Sequence, residues 1–270
     1  MSDGAPGPGR EYRRIAVMGG VYSNWVALQA LLEDAGRRDV EAVCCLGDMG
    51  GFGPHPDRVF PLMRERGVLA IQGNYDESLA SGRPDCACGY TDPRDNHYAL
   101  MSYRYTFRNT SAENKTWLGS LPARRRLTLG PYRLLMCHGS PRVINEFLWE
   151  SATPDGLIRH FLTGHDADVI LCSHTGIKWH RALPGDRHLV NVGVIGRPEN
   201  DGTPRVWYTL LTAGSGLEVE FVPLPYDHEA LAREMEAEAL PPEFVETIRS
   251  GWWTTCLENL PARERSRSRF

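Results

Sequence analysis

Between residues 14 and 71 the chain alternates short, almost continuously apolar runs with amphipathic stretches of helical period. Arg14-Ile15-Ala16-Val17-Met18 reads as a buried strand closed by Gly19-Gly20. Ser23 has the side chain of a helix N-cap, and Trp25, Leu28, Leu31 and Leu32 follow at helical spacing to about residue 38. Residues 40–46 form a second apolar run, 57–65 a second helical stretch, and 68–71 a third strand. Strand, helix, strand, helix, strand at this spacing implies right-handed crossovers and a largely parallel sheet.

From 77 to 121 the pattern breaks into an irregular and then helical excursion carrying Cys86-Ala87-Cys88 and a cluster of aromatics. Strands return at 126–129 and 132–136 around a tight Gly130-Pro131 turn, and a helix over 154–162 precedes a strand at 168–172. The remainder is β-rich and reads as antiparallel: strands at 180–183, 188–192, 206–212 and 217–222, then amphipathic helices over 228–240 and 242–250. No repeat or linker interrupts this order, so one α/β domain over 14–260 is expected. A disordered lead-in over 1–13 precedes it, and a solvated basic tail over 261–270 follows.

Composition adds limits. Hydrophobic residues make up 41% and charged residues 24%, an ordinary globular balance, and the formal net charge of -4 gives no nucleic-acid or membrane-surface footprint. No apolar run approaches the ~20 residues needed to span a bilayer, and the Gly/Pro-rich start lacks the apolar core of a secretory signal. Cys44, Cys45, Cys137 and Cys172 sit inside apolar strands, as reduced thiols of a cytoplasmic protein would. Cys86 and Cys88 are too closely spaced for a zinc knuckle and read as a loop pair.

The chemistry gathers at strand ends. Leu46-Gly47-Asp48-Met49-Gly50-Gly51 puts a carboxylate at the tip of a buried strand, where open α/β sheets keep their ligand-binding groups. Gly73-Asn74-Tyr75-Asp76, Cys137-His138-Gly139-Ser140-Pro141 and Cys172-Ser173-His174-Thr175-Gly176 follow in order. With these blocks the chain resembles the calcineurin-like metallophosphoesterases, in particular their small bacterial phosphodiesterase-type branch, over about residues 15–224. The resemblance implies a four-layer α-β-β-α sandwich and a site for two metals that hydrolyses phosphoesters.

Carried over by position, the resemblance implies one complete metal site, made of Asp48, Asn74, His138 and His174. Its other site fails: the two opening ligand positions are Gly20 and Tyr22, and the last histidine position is Gly176. All three losses fall on ligands exclusive to one metal, a boundary that random decay would rarely respect. Two imidazoles, one carboxylate and one amide oxygen suit a single divalent transition metal, Mn, Fe or Zn, rather than Ca or Mg. Tyr22, Tyr75, Asp76 and Arg142 are the candidates for supporting catalysis, and the expected substrate is a phosphorylated or otherwise anionic small molecule. Two other functions fit the same residues. One is a repurposed enzyme using the two-histidine, one-carboxylate iron donor set; the other is a non-catalytic ligand-binding descendant.

Overall fold

The computed structural model describes residues 10–266. Strands β1 (Glu11–Tyr12) and β2 (Arg14–Met18) lead into helix α1 (Trp25–Gly36), β3 (Ala42–Cys45), α2 (Val59–Glu65), β4 (Leu69–Ala70) and α3 (Asn74–Ser81). Helices α4 (Pro93–Arg108) and α5 (Ala112–Ser120) make up the rest of the excursion. The hairpin β5 (Arg125–Leu129) and β6 (Tyr132–Met136), α6 (Asp155–Gly164) and β7 (Val169–Cys172) come next. Two further hairpins complete the sheets: β8 (Trp179–Leu183) with β9 (Arg187–Asn191), and β10 (Val206–Ala213) with β11 (Leu217–Leu224). Helices α7 (His228–Ala237), α8 (Pro242–Ser250) and the short α9 (Ala262–Arg265) close the chain.

The strands form two sheets, ordered β1-β5-β6-β7-β9-β8 and β11-β10-β2-β3-β4. Why they stack is visible in each central strand, which is apolar on both faces, as a sheet covered on both sides requires. Ile15 and Val17 of β2 point into the core between the sheets, together with Leu134 and Met136 of β6 and Val169 and Leu171 of β7. Their neighbours Ala16 and Met18 face the core under α1, α2 and α3. On the other sheet Leu135, Ile170 and Cys172 face the core under α6. Two helical layers therefore enclose two sheets, the architecture that the resemblance implies.

Several local expectations differ. Asn24, not Ser23, caps α1: its Oδ1 accepts from the Ala27 N–H at 2.9 Å. Helix α3 begins at Asn74, inside the segment read as a strand end, and β9 pairs with β7 in parallel rather than joining an all-antiparallel tail. Glu11–Tyr12, inside the expected lead-in, is an edge strand parallel to β5, while residues 1–9 lie outside the described residues. Toward the other end, α9 is docked by buried Glu264, whose Oε1 accepts from the Ser151 N–H at 2.9 Å; residues 267–270 lie outside the description. Among the described residues, no helix is long and apolar enough to cross a membrane.

One ion pair ties the sheet edge together. Asp168 accepts from the Arg133 backbone N–H and from its Nε and Nη2, each at 2.9 Å. These hydrogen bonds from Arg133 hold the carboxyl below its usual range despite partial burial. Asp168→Asn is expected to lower stability by about 1 kcal/mol at pH 7. Because the folded-state pKa is depressed, that contribution is complete above the unfolded value, about 3.9, and disappears as pH falls through the folded value. Urea unfolding at pH 7 and pH 2.5 checks this; an equal cost at both pH values would contradict it.

Candidate metal centre

The C-terminal ends of the parallel strands β3, β4, β6 and β7 meet at one edge of the sandwich, and each delivers a side chain there. Asp48 and His174 leave their strands with positive φ, 55° and 59°, which turns both side chains back over the sheet ends. Gly73 must lack a side chain, because a Cβ there would lie 2.2 Å from Asp48 Oδ1. Asp48, His138 and His174 are all buried, and each offers a ligand atom within 4.8 Å of the others.

Hydrogen bonds fix how these groups face. Nδ1 of His138 lies 2.6 Å from the Leu46 carbonyl, which can only accept, so Nδ1 carries the proton and Nε2 points inward. Nε2 of His174 likewise donates to the Cys88 carbonyl at 3.2 Å, leaving Nδ1 inward. The two inward nitrogens are 3.1 Å apart, and His138 Nε2 is 3.2 Å from Asp48 Oδ2. Asp48 Oδ1 accepts from the Tyr75 N–H at 3.0 Å, at the start of α3. Two imidazole lone pairs turned toward each other beside a carboxylate call for a cation between them, either a proton or a metal.

The titration pattern of the bare site agrees. Burial favours a neutral His138, but Asp48 outweighs it and pushes the ring's pKa up. Burial and the neighbouring His138 charge push His174 down to about 3. Burial opposes the Asp48 charge, and His138 overcomes it, holding that carboxyl low. The carboxylate thus favours a positive charge on His138, while His174 stays neutral.

The side chains fit a metal. Asn74 donates its amide N–H to the Cys86 carbonyl at 2.8 Å, while its Oδ1 is buried with no partner. A buried amide oxygen without a donor costs stability unless something electropositive meets it. Carboxylate, amide oxygen and two imidazole nitrogens are donors that Mn, Fe or Zn accepts.

The four supporting candidates fare differently. Tyr22 and Tyr75 line the pocket beside Asp48 and His174. Burial raises both phenols well above the ordinary range, so at neutral pH they donate hydrogen bonds and do not act as bases. Tyr75 donates to Ser102 Oγ at 3.0 Å. Asp76 accepts the backbone N–H groups of Asp48 (2.7 Å), Gly73 (2.8 Å) and Met49 (3.1 Å), so its oxygens are committed to holding the Asp48 turn. Burial, then the Asp48 charge, raises its pKa. Arg142 lies outside the pocket, exposed and paired with Glu146.

Sequence reasoning missed two parts. Cys86 and Cys88, read as a loop pair, are joined in a disulfide, and the carbonyls of this loop orient Asn74 and His174. Arg197 and Cys256 complete the pocket wall. Neither lies in a recognisable motif, and only the fold brings them to the strand ends.

Two stacked sheets thus bring Asp48, His138 and His174 together at their strand ends, in a group that could hold a metal ion. The calcineurin-like phosphoesterase superfamily domain matches residues 14–215, and the chain belongs to that superfamily. It is similar to an uncharacterised protein of Methanocaldococcus jannaschii, 25% identical over 241 residues, covering 84% of this chain and 93% of that protein. A metallophosphoesterase from Sphaerobacter thermophilus superposes with a TM-score of 0.69 at 25% identity, covering 89% of this chain and 99% of the other. A hypothetical protein from Pyrococcus horikoshii OT3 shares the fold, with a TM-score of 0.75 at 21% identity over 91% of this chain and 100% of that one.

Proposed function

We propose that this protein is a metal-dependent phosphoesterase with a mononuclear centre, acting on a phosphorylated small molecule. Asp48, Asn74, His138 and His174 would hold one divalent transition metal. The observation that carries this reading is the convergence of two inward imidazole lone pairs, a carboxylate oxygen and the unpartnered Asn74 Oδ1. Superfamily membership supports the phosphoester chemistry.

When bound, the metal supplies Lewis acidity toward a phosphoryl oxygen. Around it the chain's own groups have separable tasks. The Leu46 and Cys88 carbonyls lock the two rings in their ligating tautomers, and the Tyr75 N–H holds one oxygen of Asp48 so that the other faces the histidines. Tyr22 presents a neutral phenol to an anionic ligand, while the Tyr75 hydroxyl is already given to Ser102. Support for one metal rather than two comes from the space around Gly20. A Cβ there would lie 2.3 Å from the Tyr22 ring, which therefore fills the room that a ligand at position 20 would need.

A second metal ordinarily contributes several kcal/mol to hydrolysis, and each ~1.4 kcal/mol is tenfold in rate, so turnover is expected to be slow. The test is release of nitrophenol from nitrophenyl phosphate and bis-nitrophenyl phosphate by protein loaded in turn with Mn, Fe and Zn. Turnover above the metal-free level with at least one of them is expected. None with any metal on either ester would contradict the proposal.

A further inference from the structure

Arg197 is buried, with 7% of its surface exposed, and its Nε has no hydrogen-bond partner. Among the described residues no carboxylate lies within ion-pair distance of it. Its guanidinium lies 3.6 Å from the centre of the Trp253 ring and 5.9 Å from that of Tyr22. Arginine stays protonated at every accessible pH, so this is a permanent buried charge that faces the Cys256 thiol and the Tyr90 and Tyr22 phenols but no carboxylate. Stacking on an indole recovers part of the desolvation cost but does not balance the charge. By contrast, the partly buried Lys178 pairs with Glu199.

The location of this charge says what could answer it. Arg197 lines the same pocket as Asp48 and His174. A Cβ at Gly176, two residues beyond His174, would lie 3.4 Å from Arg197 Nη2 and 3.3 Å from the Trp253 ring. Gly176 also has φ +76°, a conformation that disfavours any side chain there. So at the position where a histidine ligand to a second cation would start, the chain carries no donor, and a fixed guanidinium stands instead. Tyr22 takes the corresponding room beside Gly20.

We propose that Arg197 takes over the charge of the missing second cation and binds the phosphoryl group of the ligand opposite the Asp48–His138–His174 centre. The planar guanidinium can present two parallel N–H donors to two phosphoryl oxygens, a geometry that a lysine cannot reproduce. Trp253 holds the plane of the fork, and Tyr22, Phe52, Tyr90 and Phe244 provide an aromatic wall for the organic part of a phosphomonoester. The inference rests on the phosphoester reading and adds the residue that recognises the anion. It also assigns a division of labour, with anion binding at Arg197 and Lewis acidity at the four-ligand centre.

Calorimetric titration of inorganic phosphate and phenyl phosphate into the full-length, metal-loaded protein tests it. Arg197→Met keeps the aliphatic stem against Trp253 and removes the charge. It is expected to weaken both ligands about tenfold or more while metal content stays at the wild-type level. Arg197→Lys should recover part of the loss. A measurement on the wild type alone covers the case in which the Met variant fails to fold. Stripped of metal, the wild-type protein should still bind phosphate and melt at a higher temperature in its presence. Unchanged phosphate affinity in Arg197→Met, or no phosphate effect on the metal-free wild type, overturns the role of Arg197 and leaves the phosphoester reading intact. No binding of either ligand to metal-loaded wild type overturns both.

Discussion

Asp76→Ala is expected to cost at least about 3 kcal/mol of stability and to disorganise the metal centre with it. The substitution strands three backbone N–H groups, those of Asp48, Met49 and Gly73, in a fully buried environment. A buried donor left without an acceptor costs about 1–3 kcal/mol, and three share this one carboxylate. The loss falls on the turn that holds Asp48 at positive φ, so the carboxylate would leave its position opposite His138. Asp76→Asn keeps one acceptor oxygen and should lie between wild type and Ala. Chemical denaturation of the three proteins, with metal content measured on each, is the check. A cost below about 1 kcal/mol for Ala with metal retained would show that the turn is held by something else.

The second large effect is on metal affinity. His138→Ala should lower it by 100-fold or more, because the ring that bridges Asp48 and His174 disappears and only one imidazole remains. Proton competition gives an independent signature. In the bare site the His138 pKa is raised by Asp48, which overcomes burial, whereas His174 is already neutral above about pH 3. Metal uptake must therefore displace a proton from His138 when pH is below that raised value. Apparent affinity should fall about tenfold per pH unit there and level off above it, with about one proton released per metal. Chelator competition from pH 5 to 8 reads the slope. A flat profile in wild type, or metal retained by His138→Ala, would remove His138 from the centre.

How much of this was visible in the chain depends on the kind of signal. Apolar runs such as 14–18 and 168–172 revealed the central strands because both faces are buried, and the strand-end motifs marked Asp48, His138 and His174, which the fold brings within 4.8 Å of one another. The edge strand Glu11–Tyr12 escaped because its pairing with Thr128 and Leu129 is a matter of backbone hydrogen bonds, with no side-chain period over two residues. Arg142 was chosen by closeness in sequence to His138, but its side chain points to solvent and to Glu146. Arg197 and Trp253 had no such marker. They meet only after the chain has crossed both sheets, and a lone arginine after a glycine-rich turn carries no pattern to read.

The proposed function requires a single metal per chain, held by Asp48, Asn74, His138 and His174. Elemental analysis of protein loaded with Mn, Fe or Zn and freed of excess metal tests it directly. About one metal per chain is predicted for at least one of the three, with none retained by a variant lacking both His138 and His174. Two metals per chain would contradict the account, since Tyr22 and Arg197 would then not have closed the second position. None after loading with any of the three would remove the metal centre altogether.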